Sequence, residues 1–343
     1  MRYLVLTLCA YLCAASGASI NAAQEIPLEA QTLTGEPLVA YLRKNQNLFE
    51  VNSEPTPNFE QKIMDIKFKN QKLDFVVKND PEPNEDIPEE YDPREKFKCS
   101  TFYIRDQANC GSCWAVSTAA AISDRICIAT NGEKQVNISS TDILTCCNPQ
   151  CGFGCGGGWS IRAWEYFVYE GVVSGGEYLS KGVCRPYPIH PCGRHGNDTY
   201  YGECPREAAT PPCKKKCQPG YKKIFRMDKR QGKVAYGVEP KEEAIQREIL
   251  RHGPVVASFA VYEDFSLYKT GVYKHTAGAL RGYHAVKMMG WGVDSKTKAK
   301  YWLIANSWHN DWGENGYFRF IRGINDCEIE DTVAAGIVDV DSL

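Results

Sequence analysis

The apolar residues of this chain fall into runs of different period. Residues 3 to 15 are almost wholly apolar, behind Met1-Arg2 and ahead of the small residues Ser16-Gly17-Ala18. That layout predicts a signal peptide, residues 1–18, cleaved after Ala18. The run is shorter than the roughly 20 residues a membrane-spanning helix needs, and no other spanning candidate follows. Leu38, Tyr41 and Leu42 recur at helical spacing, with a second apolar set at Ile63, Ile66 and Phe68. This stretch, residues 19–86, lacks cysteine and tryptophan and ends in Asn79-Asp80-Pro81-Glu82-Pro83-Asn84-Glu85-Asp86. An acidic, proline-rich end without core-forming residues predicts an exposed linker and a cleavage site. Residues 19–86 therefore read as a removable pro-segment; a small accessory domain or a disordered leader has the same composition.

From Ile87 the pattern becomes that of a globular body. No Gly or Pro interrupts the apolar run from Cys113 to Thr130. It predicts a buried helix that begins after Gly111-Ser112 and stops at Asn131-Gly132. A short helix is expected near Ile161 to Tyr169, and another over Lys241 to His252, between Pro240 and Gly253-Pro254. Strand-like runs follow at Val255–Tyr262, His284–Met289, Tyr301–Ala305 and Tyr317–Ile321. Residues 184–220, rich in Pro, Gly, Cys and charge, read as a long irregular insertion of the functional kind.

Composition adds two constraints. The net charge of -2 over 343 residues gives no electrostatic case for nucleic acid. Sixteen cysteines, all but Cys9 and Cys13 lying at Cys99 or beyond, indicate export and disulfides. Zinc modules show evenly repeated pairs with histidine; Cys110, Cys113 and the cluster Cys146, Cys147, Cys151, Cys155 are irregular, so no metal is expected.

Cys113 would sit at a helix N-terminus, where unpaired N–H groups and the positive dipole end favour a thiolate. A nucleophilic cysteine needs a base, and the base needs an orienting group. Of six histidines, His284 opens an apolar strand, with Val286 and Met288 on its alternating face. Asn306 follows the strand that ends at Ala305, where its amide would hold the imidazole. Trp308 would screen that hydrogen bond from water. Gln107, six residues before Cys113, would bind a developing oxyanion together with the Cys113 backbone N–H. Gly157 and Gly158, within three consecutive glycines, allow either a close backbone approach to a ligand or a tight turn.

Gln107 with Cys110-Gly-Ser-Cys113-Trp114, Gly282-Tyr-His284-Ala285, and Asn306-Ser307-Trp308 with Trp312-Gly313 resemble, in that chain order, the papain-family cysteine proteases, and within them the cathepsin B-like branch. The resemblance spans residues 87–343, and residues 19–86 resemble that branch's pro-segment. It implies an α+β, papain-like fold of two subdomains: a helical left half carrying Cys113, and a β-barrel-like right half carrying His284 and Asn306. Peptide would bind extended between them, with Gly157 and Gly158 hydrogen-bonding its backbone. The implied disulfides are Cys99–Cys127, Cys110–Cys155, Cys146–Cys213, Cys147–Cys151, Cys184–Cys217 and Cys192–Cys204.

The implied activity is peptide-bond hydrolysis through an acyl-enzyme, endopeptidase with peptidyl-dipeptidase action. Other readings of the residues are a catalytically silent disulfide-rich binding protein on a protease scaffold and a Cys-His acyl transferase. Residues 184–220 resemble the branch's occluding loop. That loop carries two adjacent histidines, where this chain has Arg194 and His195. His195 would bind a substrate's C-terminal carboxylate, and Arg194 is expected to pair with Asp106; Asp311 matches a second acidic anchor whose partner is not evident. Thr332 stands where the branch often has an S2 glutamate, which predicts weaker use of Arg at P2, and Tyr283 is expected to narrow the same pocket. Asn137 and Asn197 lie in glycosylation sequons. No cofactor is implied. The expected partners are protein and peptide substrates, the chain's own pro-segment as inhibitor and cystatin-type inhibitors, for a monomer of the secretory pathway, lysosomal or extracellular. The stretch from Tyr301 to Glu314 resembles enzymes of blood-feeding worms, which implies a gut lumen and dietary protein such as haemoglobin.

Overall fold

The computed structural model describes residues 25–68, 75–78, 84–196, 200–206 and 208–343. The expected signal peptide, most of the acidic linker and the sequon at Asn197 lie outside the described residues. In the stretch expected to be a pro-segment, hereafter the pro-segment, α1 (Gly35–Asn45) buries Leu38, Val39 and Leu42. After it come β1 (Phe49–Val51), the short α2 (Phe59–Lys62) and β2 (Val77–Lys78). The body opens with α3 (Pro93–Lys96), then α4 (Cys113–Ala129), α5 (Ser140–Cys146) and α6 (Ser160–Tyr169). Its second part holds β3 (Gly232–Val238), α7 (Glu242–His252), β4 (Val255–Tyr262), β5 (Tyr268–Tyr273), β6 (Leu280–Val293), β7 (Lys300–Ala305), β8 (Tyr317–Ile321) and β9 (Val333–Val338). No described helix is long and apolar enough to cross a membrane.

The nine strands among the described residues form one sheet, in the order β1-β5-β8-β7-β6-β4-β9-β3-β2. The pro-segment thus supplies both edge strands. At one edge Phe49 pairs with Gly271, antiparallel. At the other Val77 pairs with Gly237, parallel. Gly271 has φ +107°, and a Cβ there would lie 2.4 Å from the Leu48 carbonyl oxygen; the close strand contact requires glycine.

β4 reads as a continuous apolar run because it divides two cores. Val255, Ala257, Phe259 and Val261 face an aromatic core with Phe265, Trp302, Trp308, Phe318 and Phe320. Val256 and Ala260 face the second core, built on Trp114, Ala119, Ile122 and Trp164. The helix α4 runs through that second core and is buried from Cys113 to Cys127, which explains its lack of a polar face. Strands β3, β5 and β9 and helix α5 were not evident from the sequence pattern. Each of the three strands is six or seven residues long with an internal glycine. α5 is seven residues long and is capped by Ser139, whose side chain accepts from Asp142 N–H. In the pro-segment, Ile63 and Phe68 are buried but Ile66 is exposed.

Six disulfides join Cys99–Cys127, Cys110–Cys155, Cys146–Cys213, Cys147–Cys151, Cys184–Cys217 and Cys192–Cys204, the pairs the resemblance implies. Among the described residues Cys113 and Cys327 remain free.

Candidate active site

Cys113 opens α4 and is fully buried. The N-cap residue, Ser112, makes no side-chain cap; its hydroxyl bonds instead with Tyr187 OH at 2.7 Å. First-turn amides are therefore left for the sulfur, which also accepts from the Ala285 N–H at 3.4 Å. The preceding loop is tied down on both sides. Cys110 is bridged to Cys155, and a Cβ on Gly111 would lie 2.4 Å from the Cys155 carbonyl oxygen. Gln107 N–H donates to Ser307 O at 2.9 Å, and Ser307 Oγ donates to Gln107 Oε1 at 2.6 Å. The loop before the helix is thus fastened to the segment that follows β7.

His284 lies on β6 opposite Phe259 of β4 and is fully buried. Its Nε2 is 2.8 Å from Asn306 Oδ1. That oxygen also accepts from Ser307 N–H at 2.8 Å, so it is held as an acceptor and Nε2 carries the proton. Nδ1 is left without a hydrogen-bond partner. The buried Trp308 lies beside the imidazole, ring centroids 4.7 Å apart. Burial pushes the Cys113 thiol up to about 12. Burial likewise takes His284 down to about 4, against the raising effect of Asn306 and with the Lys62 charge adding to the depression. With the pro-segment in place, thiol and imidazole are both neutral at pH 7.

The pro-segment covers these residues directly. Gln107 Nε2 donates to Cys110 O at 2.7 Å and to the pro-segment carbonyl Lys62 O at 2.8 Å. Met64 pairs with Tyr283 through two backbone hydrogen bonds, of 2.7 and 3.0 Å. Phe59 lies edge-on to Trp308. Phe68 packs on Trp159 and over Gly157, where a Cβ would meet its ring at 2.5 Å. Gly158 is constrained differently: a Cβ there would strike the Trp114 ring and the Cys151 carbonyl.

A family described as papain family cysteine protease matches residues 87–337. The chain belongs to the papain family of cysteine proteases. It is 74% identical over 344 residues to cathepsin B-like cysteine proteinase 1 of Haemonchus contortus, covering 100% of both chains. It is 43% identical to a gut-specific cysteine proteinase of Caenorhabditis elegans over 98% of this chain and 99% of that one. Among solved structures, proCathepsin B S9 from Trypanosoma congolense matches with a TM-score of 0.74 at 34% identity, over 91% of this chain and 100% of that chain.

In this papain-family protease the insertion departs from expectation. Arg194 does not pair with Asp106. It is exposed, with its guanidinium 6.0 Å from the Tyr200 ring. His195 takes the acidic partners instead, with Nδ1 3.1 Å from Asp311 Oδ1 and Nε2 3.9 Å from Asp106 Oδ2. The turn of the insertion within the Cys192–Cys204 bridge sends the long Arg194 stem outward and the shorter imidazole inward. His309, which the sequence reading passed over, also reaches Asp311 Oδ1, at 2.9 Å. The His-x-Asp spacing of 309 and 311 carried that signal. Lys62 was missed as well, since a lysine ahead of an apolar set reads as solvated.

Thr332 lines a cavity with Gly158, Ser258 and Ala334, closed over by Met64 and Phe68 of the pro-segment. Tyr283 is not among the residues lining it; its hydroxyl lies 3.3 Å from Glu328 Oε2, which draws the ring elsewhere. Asn137 is half-buried with its side-chain oxygen enclosed, and the Ser139 hydroxyl of its sequon donates to Arg185 O.

Proposed function

We propose that residues 19–86 are an inhibitory pro-segment and residues 87–343 a peptidase in which Cys113 is the nucleophile, His284 the base, Asn306 its orienting group and Gln107 the oxyanion donor. The observation that carries this reading is the Asn306–His284 hydrogen bond of 2.8 Å. It commits Nε2 and leaves Nδ1 as the nitrogen able to exchange a proton with sulfur.

Once the pro-segment leaves, water and substrate reach the pair, the burial that holds both groups neutral is relieved, and the thiolate–imidazolium form becomes accessible. Sγ attacks the scissile carbonyl carbon, and the carbonyl oxygen takes up negative charge against Gln107 Nε2 and the Cys113 N–H. His284 Nδ1–H protonates the leaving amine as the C–N bond breaks. Water, deprotonated by the same nitrogen, then attacks the thioester, and the C–S bond breaks to release acid and thiolate. The Lys62 carbonyl on Gln107 Nε2 supports inhibition by occupation of the oxyanion donor.

His195, held by two carboxylates beside the cleft, supports recognition of a substrate's free C-terminus and hence peptidyl-dipeptidase action; Arg194 takes no part. The apolar residues of the pro-segment against Thr332 support apolar P2 side chains. The family's placement and the likeness to a gut-specific relative support a secreted or lysosomal enzyme that digests dietary protein. The test is labelling of the matured enzyme by a thiol-directed epoxide. Label and peptidase activity should both vanish in Cys113→Ser, whereas label retained at another cysteine with activity intact would overturn the assignment.

A further inference from the structure

Beyond the catalytic residues, three donor groups converge where the insertion meets the body. His195 Nδ1 and His309 Nδ1 lie 3.1 and 2.9 Å from the same oxygen, Asp311 Oδ1. The two imidazole rings are 4.2 Å apart with their planes at 33°. One donor atom from each residue lies within 4.8 Å of the other two, the only such set of three among the described residues. Two ring nitrogens aimed at one carboxylate oxygen cannot both present lone pairs to it. Either both nitrogens carry hydrogen, or a single cation takes the place of both.

A second observation favours a cation. Behind His195, Nε2 is 3.9 Å from Asp106 Oδ2, a buried oxygen with no hydrogen-bond partner. At 3.9 Å this is an ion-pair contact and not a hydrogen bond, but it places a carboxylate on the far side of the ring, as the outer shell of a metal-ligating histidine does. His309 adopts φ 72°, a left-handed conformation uncommon for a side chain of this size. That backbone is maintained where its ring lies tilted against His195 and meets Asp311.

We propose that His195, His309 and Asp311 form a binding site for a divalent transition-metal ion of the Zn2+ type, which fastens the 184–220 insertion to the body. Two imidazoles and one carboxylate suit Zn2+, whereas Ca2+ and Mg2+ take mainly oxygen. Tetrahedral bonds of about 2.0–2.1 Å set donors roughly 3.4 Å apart, so each nitrogen–oxygen pair needs to open by only a few tenths of an ångström. His195 belongs to the insertion; His309 and Asp311 belong to the loop that follows Asn306. A shared ion therefore closes the gap between those two segments. The site uses none of Cys113, His284, Asn306 and Gln107. It shares His195 with the proposed recognition of a substrate's C-terminus, and an ion on Nδ1 with Nε2 facing Asp106 would withdraw that ring from substrate.

Lys62 already experiences the attraction of Asp106 and Asp311. In the full chain its ammonium competes with an added cation, so an affinity measured there is a lower bound. The test uses full-length Cys113→Ser protein, which cannot mature itself and lacks the Cys113 thiol; the half-buried Cys327 is common to every protein compared. Zinc chloride is titrated into it calorimetrically at neutral pH, beside the same protein carrying His309→Asn, since asparagine tolerates the left-handed backbone. One ion per chain should bind, with affinity lowered at least about tenfold by His309→Asn. Zinc should raise the melting midpoint of the parent and leave that of the variant in place, a readout that also verifies folding. Saturable binding that His309→Asn leaves unchanged, or none below about 100 µM zinc, overturns the proposal.

Discussion

Individual atoms in the candidate active site are defined by which hydrogen-bonding positions are already committed. Both hydrogens of Gln107 Nε2 are used, one on Cys110 O inside the loop and one on Lys62 O of the pro-segment. On the proposed function, only the second would be freed by maturation, for a substrate carbonyl. Gln107→Ala should therefore lower kcat of the matured enzyme by about 10²–10³ with little change in KM. Steady-state kinetics on a fluorogenic dipeptide measure this, and a loss below about threefold would remove Gln107 from the oxyanion site. Thr332 poses the same kind of question for specificity. Its cavity is closed by Met64 and Phe68 and offers no carboxylate among the described residues that line it. The wild type should prefer Phe-Arg to Arg-Arg substrates. Thr332→Glu supplies an acceptor for a P2 guanidinium, and a charged hydrogen bond of about 1.5–3 kcal/mol should shift the ratio of kcat/KM values toward Arg-Arg by tenfold or more. An unchanged ratio would show that the cavity does not receive P2.

Between elements, the alignment of α4 with β6 decides whether sulfur and imidazole meet. A buried ion pair, Lys287 with Asp124, bridges that helix and strand, and Ser117 Oγ donates to Ala285 O at 2.9 Å. Lys287→Met leaves Asp124 buried and unpaired, at a cost of about 3–5 kcal/mol. Urea denaturation of the full-length Cys113→Ser protein should show it, and adding Asp124→Leu should recover most of the loss. α4 and β4 could be read from sequence because uninterrupted apolar runs have few alternatives. β3, β5 and β9 could not, since glycine-bearing segments become strands only through the neighbours they pair with. Cys113, His284, Asn306 and Gln107 were legible because each sits in a local motif. The partners of Asp106 and Asp311 were not, because they depend on how the bridged insertion turns Arg194 out and His195 in. Nor was the Lys62 carbonyl legible, since a backbone contact carries no side-chain signature.

For the molecule as a whole, the pro-segment is part of the fold. It lays α1 on the aromatic core, adds a strand to each edge of the sheet, and sets Lys62 on Gln107 and Met64 on Tyr283, next to the buried His284. This couples zymogen stability to acid. The imidazole sits at about 4 in the folded pro-form, depressed by burial first and the Lys62 charge after it, against 6.5 when free. Between those values the unfolded chain binds the proton and the folded chain does not. The contribution is therefore fully present above pH 6.5 and is lost as pH falls through about 4. The shift corresponds to about 3 kcal/mol. Full-length Cys113→Ser protein should lose stability in urea titrations run from pH 7 down to 4. His284→Gln in the same background should flatten that slope by about this amount, the remaining slope belonging to carboxylates common to both proteins. Parallel pH profiles in the two proteins would mean that His284 does not couple acid to the pro-form. On the proposed function, the protonation expected to loosen the pro-segment would fall on the imidazole assigned as the base.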